Sequence, residues 1–125
     1  MPIRSATPVF RVSDYQRAKR FWTGALGFTC VQEAGDPVTG FGIYERDDAR
    51  VFLMAWDGAE AAYTRWRAYF HVTAFDQVLA DVRAATELSS EPVLTEYGMR
   101  EFEVTDPDGN VVCFGVDPDE DTPKA

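Results

Sequence analysis

Two stretches of this chain, sixty positions apart, carry the same residue pattern, and this repeat constrains the fold more than any other feature. Pro8-Val9-Phe10-Arg11-Val12-Ser13 alternates as a strand does, with Pro8, Phe10 and Val12 on one face. Ala68-Tyr69-Phe70-His71-Val72-Thr73 does the same, Phe70 matching Phe10 and Val72 matching Val12. A helix is predicted after each strand. In the first, Ala18, Phe21, Trp22, Ala25 and Leu26 form an apolar stripe at helical spacing. Ser13 or Asp14 can cap its start, and Gly27 is placed to end it in a left-handed conformation. The second helix is expected from near Asp76, through Val78, Leu79 and Val82, to about Ala85.

Strands follow each helix. Phe28 to Gln32, Phe41 to Glu45 and Val51 to Trp56 are expected in the first half, and Pro92 to Glu96, Arg100 to Thr105 and Val111 to Val116 in the second. Asp106-Pro107-Asp108-Gly109-Asn110 reads as a tight reversal between the last two. The order βαβββ, twice, excludes a helix bundle and a parallel α/β sheet. The fold class expected is α+β: two βαβββ repeats forming curled mixed β-sheets around a cleft. At 125 residues the chain is read as one domain, 1–125. Repeat 1 spans about 6–57 and repeat 2 about 66–116, with a linker over Asp57 to Arg65. The tail 117–125, acidic from Asp117 to Asp121, is expected to be a loose, solubilising end.

Charge and composition narrow the function classes. A net charge of −9 repels nucleic acid and anionic membranes and attracts cations, so no nucleic-acid partner is expected. No apolar stretch is long enough to span a membrane, so no membrane partner is expected either. The N-terminus lacks the apolar run of a secretory leader, which places the chain in the cytoplasm. Cys30 and Cys113 are too few for a disulfide framework or a zinc site. Gly-rich phosphate loops, Gly-x-Ser-x-Gly elbows and His-Glu-x-x-His motifs do not occur.

Three segments, in order, carry a family resemblance: Thr7-Pro8-Val9-Phe10-Arg11-Val12-Ser13-Asp14, Phe21-Trp22-Thr23-Gly24-Ala25-Leu26-Gly27-Phe28, and Arg100 through Asn110. Together with the repeat, they resemble the vicinal oxygen chelate superfamily, which holds glyoxalase I, extradiol dioxygenases, and fosfomycin- and bleomycin-resistance proteins. The last segment is most similar to the bleomycin-resistance branch. In the metal-dependent members, four strand positions facing the cavity supply His, Glu, His and Glu. The resemblance places Thr7, Arg67, Leu53 and Cys113 there. These side chains do not make the nitrogen- and oxygen-rich set that a catalytic divalent ion takes, and a guanidinium repels one. No metal and no cofactor are therefore expected.

The resemblance implies a homodimer whose clefts are built from both chains and hold a small-molecule ligand. The leading expectation is a non-catalytic, metal-independent binding protein that sequesters a bleomycin-like or other aromatic or cationic natural product, as in antibiotic resistance. The alternative is a glyoxalase-like lyase or isomerase with an unconventional site. By strand alternation, Thr7, Val9 and Arg11 should look into the cavity with Arg67, Tyr69, His71, Leu53, Ala55, Cys113 and Gly115. The resemblance adds Phe41, ahead of the Arg46-Asp47-Asp48 hairpin, and the loop bearing Tyr97 and Met99, and it sets Tyr69 and His71 at a pair of cavity tryptophans. The ligand-binding set is thus Phe41, Leu53, Ala55, Arg67, Tyr69, His71, Tyr97, Met99 and Cys113. Two structural readings stand beside it: Arg67 pairing with Glu101 or Glu103 across strands, and Trp56, Trp66 and Phe52 serving as core or dimer interface. The aspartates of the two turns are explained by backbone hydrogen bonding alone.

Overall fold

A computed structural model describes residues 2–35, 40–56 and 65–122, and the expected linker falls on 57–64, outside them, except for Arg65. The first half runs β1 (Val9–Val12), α1 (Tyr15–Gly24), β2 (Thr29–Ala34), β3 (Phe41–Arg46) and β4 (Ala49–Ala55). The second repeats it with β5 (Trp66–His71), α2 (Phe75–Ala85), β6 (Ser90–Leu94), β7 (Arg100–Thr105) and β8 (Val111–Val116). Each half forms a four-stranded sheet, ordered β1-β4-β3-β2 and β5-β8-β7-β6. The first strand lies parallel to the last and the other pairs are antiparallel. The helix of each half is the crossover that a parallel pair requires.

Local chemistry sets the helix ends. The Asp14 side chain accepts from the Arg17 backbone N–H and starts α1. Gly27, at φ +74°, turns the chain away, and the Arg46 guanidinium donates to the Leu26 carbonyl at 2.7 Å. α2 has Ala74 at its cap position, which offers no side-chain acceptor. Asp121 fills that role from 46 residues away, accepting from the Phe75 N–H at 3.1 Å, while Thr122 donates to the Thr73 carbonyl. The described part of the tail, 117–122, is therefore not the loose end its composition suggests. It makes a single 3-10 turn at Pro118–Glu120 and docks on the start of α2, because that helix's orphan donors offer acidic side chains a partner.

The helix-bearing faces of the two sheets share one core. Phe10, Val12, Trp22, Leu26 and Leu53 join Phe75, Val82, Phe102, Val112 and Phe114 in a single buried cluster. The Trp22 ring lies 4.7 Å from Phe10 and 6.5 Å from Phe70, so one side chain spans the seam. The Asp106–Asn110 turn secures it. Asp106 accepts from the Asn110 and Asp108 backbones and from the Trp22 indole, and Asn110 donates to the Arg11 carbonyl. Asp108 in turn receives the Ser13 N–H and hydroxyl. Burial pushes the Asp106 carboxyl above its usual range, against the pull of these donors. With the helix sides fused, the opposite faces of both sheets look outward, and Val9, Met54, Trp66 and His71 are exposed there. The cleft expected between the two sheets is accordingly not closed within one chain.

Candidate functional site

Register decides which side chains share the open face of each sheet. In the second sheet Tyr69 pairs with Cys113, His71 with Gly115, Glu101 with Gly115 and Glu103 with Cys113. Neighbours in register lie on the same side, so these four side chains and Cys113 occupy one face, opposite Phe70, Phe102 and Phe114. Trp66, Tyr69 and His71 form a row of rings along β5, with centroids 5.1 and 4.9 Å apart. Two carboxylates hold this row. The Tyr69 hydroxyl donates to Glu101 Oε2 at 2.9 Å, and the Trp66 indole donates to Glu103 Oε2 at 2.7 Å. From the β6–β7 turn the Tyr97 hydroxyl reaches the same Glu101 oxygen at 2.6 Å.

Several expected residues meet here. Tyr69, His71 and Tyr97 stand on or beside this face, with Met99 half-buried at the end of the Tyr97 turn. Arg67 is exposed at the register shift between Trp66 and Ala68. Cys113 is on the expected face but 0% exposed. Burial and the nearby Glu101 and Glu103 charges push its thiol far above the ordinary range, which makes it a poor nucleophile. Burial and the bond to Glu101 raise Tyr69 in the same way, and Glu101 raises Tyr97. Both phenols are hydrogen-bond donors at neutral pH.

The first sheet corrects the expectation for β4. Leu53 pairs with Phe10 and Ala55 with Val12, so both lie on the helix side, and Leu53 is 0% exposed within the core. Phe52 and Met54 take the open face, with Val9, Arg11, Ile43 and Phe41. The parity is one residue away from the expected one. Phe41 lies on this open face with its ring 5.2 Å from Phe52, and the Arg11 guanidinium lies 4.6 Å over the Trp56 ring. Glu101 and Glu103 were anticipated only as partners for Arg67, not as members of the site. Their signal in the sequence is their parity with Tyr69 and His71 across β8.

A groove of about 540 Å³ adjoins the ring row where β5, the edge strand of its sheet, passes the Arg46–Ala49 hairpin. Phe28, Phe70, Val78 and Phe114 line it with apolar surface, and Tyr69, His71, Asp47 and Asp48 supply polar groups. Its size and mixed lining suit a small molecule. The side chains at the superfamily's ligand positions do not fit a divalent metal: Leu53 is a hydrocarbon within the core, Cys113 is a fully buried thiol, Arg67 is a cation and Thr7 offers only a neutral hydroxyl. Among the described residues no three His, Cys, Asp or Glu converge on one point. Among the described residues no helix is long and apolar enough to cross a membrane.

Comparison with known proteins agrees with this architecture. The family model described as Glyoxalase/Bleomycin resistance protein/Dioxygenase superfamily matches residues 4–114. No curated protein matches the chain. Among solved structures, the bleomycin-binding protein of bleomycin-producing Streptomyces verticillus, complexed with copper(II)-bleomycin, is 26% identical with a TM-score of 0.74, covering 91% of this chain and 96% of its own. A bleomycin resistance determinant encoded on the transposon Tn5 is 21% identical with a TM-score of 0.76, covering 92% and 98%. A glyoxalase-related enzyme from Clostridium phytofermentans is 15% identical with a TM-score of 0.75, covering 94% and 97%. The scaffold is thus shared by ligand-binding and enzyme-related proteins.

Proposed function

Because the chain belongs to the glyoxalase/bleomycin resistance protein/dioxygenase superfamily, we propose that it is a metal-independent binding protein which sequesters a bleomycin-like or other aromatic or cationic natural product. One observation carries this reading. The open face of the second sheet presents an aromatic row, Trp66, Tyr69 and His71, held in place by two carboxylates, at the part of the fold where a metal centre would need other residues. Neighbouring rings tilted against one another beside carboxylates favour a planar or cationic group through π contact and charge. The contacts are assigned to Tyr69, His71, Arg67, Tyr97 and Met99, with Phe41 facing the ligand from a second copy. Leu53 and Cys113 are buried and Ala55 is on the opposite face, so they are left out of this set.

The same reading makes the protein a cytoplasmic homodimer. The first sheet's open face is apolar around Phe41, Ile43, Phe52 and Met54 and carries Arg11, while the second sheet's carries Glu101 and Glu103. Two copies related by a two-fold axis can oppose these faces twice, which closes two identical clefts.

Titration of the purified protein with metal-free bleomycin, followed by tryptophan fluorescence with bound metal assayed on the same sample, tests the proposal. Saturable binding at about one ligand per chain without metal is the expected result. A stoichiometric divalent metal, or turnover of a thiol adduct of an α-ketoaldehyde, overturns it in favour of a lyase.

A further inference from the structure

The open-face aromatic row has an internal support that ligand contact does not require. Glu101 is only 5% exposed, yet one of its oxygens accepts from two tyrosine hydroxyls arriving from opposite directions, Tyr69 on β5 and Tyr97 on the β6–β7 turn. Between them lies Gly115. A Cβ built there would stand 1.8 Å from the Tyr69 hydroxyl and 2.4 Å from the ring carbon that carries it. Tyr69 therefore lies across the backbone of β8 rather than standing up from the sheet, and only glycine leaves it that space. Its ring meets Trp66 on one side and His71 on the other. Tyr97 is 61% exposed, and its hydroxyl is anchored by the bond to Glu101.

We propose that Glu101 is the positioning residue of this binding site: it pins Tyr69 flat in the Gly115 cradle as the floor and holds Tyr97 upright as a wall. The inference rests on the sequestration reading for its ligand and goes beyond it in assigning a residue that acts through others. Pinning removes rotamer freedom before the ligand arrives, so that a flat aromatic group does not bear the ordering cost. The carboxylate's hydrogen bonds go to the phenols, so the ligand meets the rings directly and the negative charge lies behind them. A site built this way favours planar groups that stack, most of all cationic ones.

Two variants separate the roles. Glu101→Leu keeps the bulk without an acceptor, and Glu101→Gln restores one neutral acceptor. The ligand-free readout is O-acetylation of Tyr97 by N-acetylimidazole at neutral pH, mapped by peptide mass spectrometry. A hydroxyl held by Glu101 reacts slowly, and the Leu variant is expected to react several-fold faster, with Gln between. The ligand readout is affinity for metal-free bleomycin, expected to weaken about tenfold with Leu and to recover in part with Gln. Equal acetylation rates in wild type and variants overturn the positioning role, as does full affinity in the Leu variant. If wild type binds no bleomycin, the sequestration reading falls and the acetylation rates alone decide the role of Glu101. Should the Leu variant fail to fold, the nearly isosteric Gln variant decides: faster acetylation than wild type supports the role, and an equal rate overturns it.

Discussion

Each half of the molecule links a pair of tyrosines to one glutamate, in series through Tyr15 in the first half and on a shared oxygen in the second, with a hydroxyl seated on a glycine, and the two clusters lie on opposite sides of their sheets. In the first half Tyr15 bonds both Tyr44 and Glu33 at 2.8 Å over Gly42, with Lys19 on the same Glu33 oxygen at 2.9 Å. Tyr15 comes from α1 and Tyr44 from the helix face of β3, so both phenols are sealed under the helix, while Glu33 and Lys19 form the cluster's exposed rim. In the second half Tyr69 and Tyr97 meet Glu101 over Gly115 on the open face. The same chemical device thus serves as a core fastening in one place and as a surface fixture in the other. Its setting decides which, since a sealed tyrosine can only be structural, whereas an exposed ring held in place is available to a partner.

The largest expected difference is at the glycines. Gly42→Ala sets a Cβ 2.1 Å from the Tyr15 hydroxyl and 2.6 Å from the Tyr44 ring, with no free space for either to move into. A loss of about 3 kcal/mol in chemical denaturation is expected, as for other overpacked cores. A loss below about 1 kcal/mol would break the comparison, because the first cluster would then be as yielding as a surface. Tyr15→Phe comes next, at about 1–3 kcal/mol, since it leaves Tyr44 and Glu33 short of a partner.

Tyr15 also gives the comparison a pH signature. Burial first, then the bonds to Tyr44 and Glu33, hold its phenol far above the ordinary value. A raised acid contributes stability that is fully present below its unfolded pKa of about 10, and that is lost as pH rises beyond it. Alkaline unfolding monitored by circular dichroism should therefore be shallower in Tyr15→Phe than in wild type.

Gly115→Ala sharpens the contrast from the other side. The added methyl meets the Tyr69 hydroxyl at 1.8 Å, but that ring borders solvent and can swing out. The stability loss is expected to be about 1 kcal/mol, while bleomycin affinity falls severely. A cost equal to that of Gly42→Ala would mean that Tyr69 is as sealed as Tyr15. The smallest effect is on the rim of the first cluster. Lys19, then Tyr15, holds the Glu33 carboxyl below its usual range. Lys19→Met removes the main cause and should lower the urea midpoint only slightly. That difference is present above about pH 4.3 and disappears as acid protonates Glu33, which urea melts at pH 7 and pH 3 can check.

Much of this architecture was legible in the chain. Strands at Arg100–Thr105 and Val111–Val116 occur where their alternation placed them, as do the Asp14 cap and the Gly27 stop. The parity of β4 was not legible, because Val51-Phe52-Leu53-Met54-Ala55-Trp56 is apolar on both faces and has no polar residue to mark the outer one. Glu101 and Glu103 were hidden for the opposite reason: charged residues alternating with Phe102 and Val104 read as an ordinary solvated face.

By itself, then, the sequence determined the repeat, the order of elements, the turns and the family, because these rest on periodicity and on residues close together in the chain. Tertiary structure alone decided that Asp121 would cap α2, that Trp22 would join the halves through Asp106, and that Tyr69 and Tyr97 would share Glu101. Each of those contacts depends on strand pairing and on the direction a side chain takes from a distant backbone. Local pattern carries no record of either, since one step of register moves every side chain of a strand to the other face.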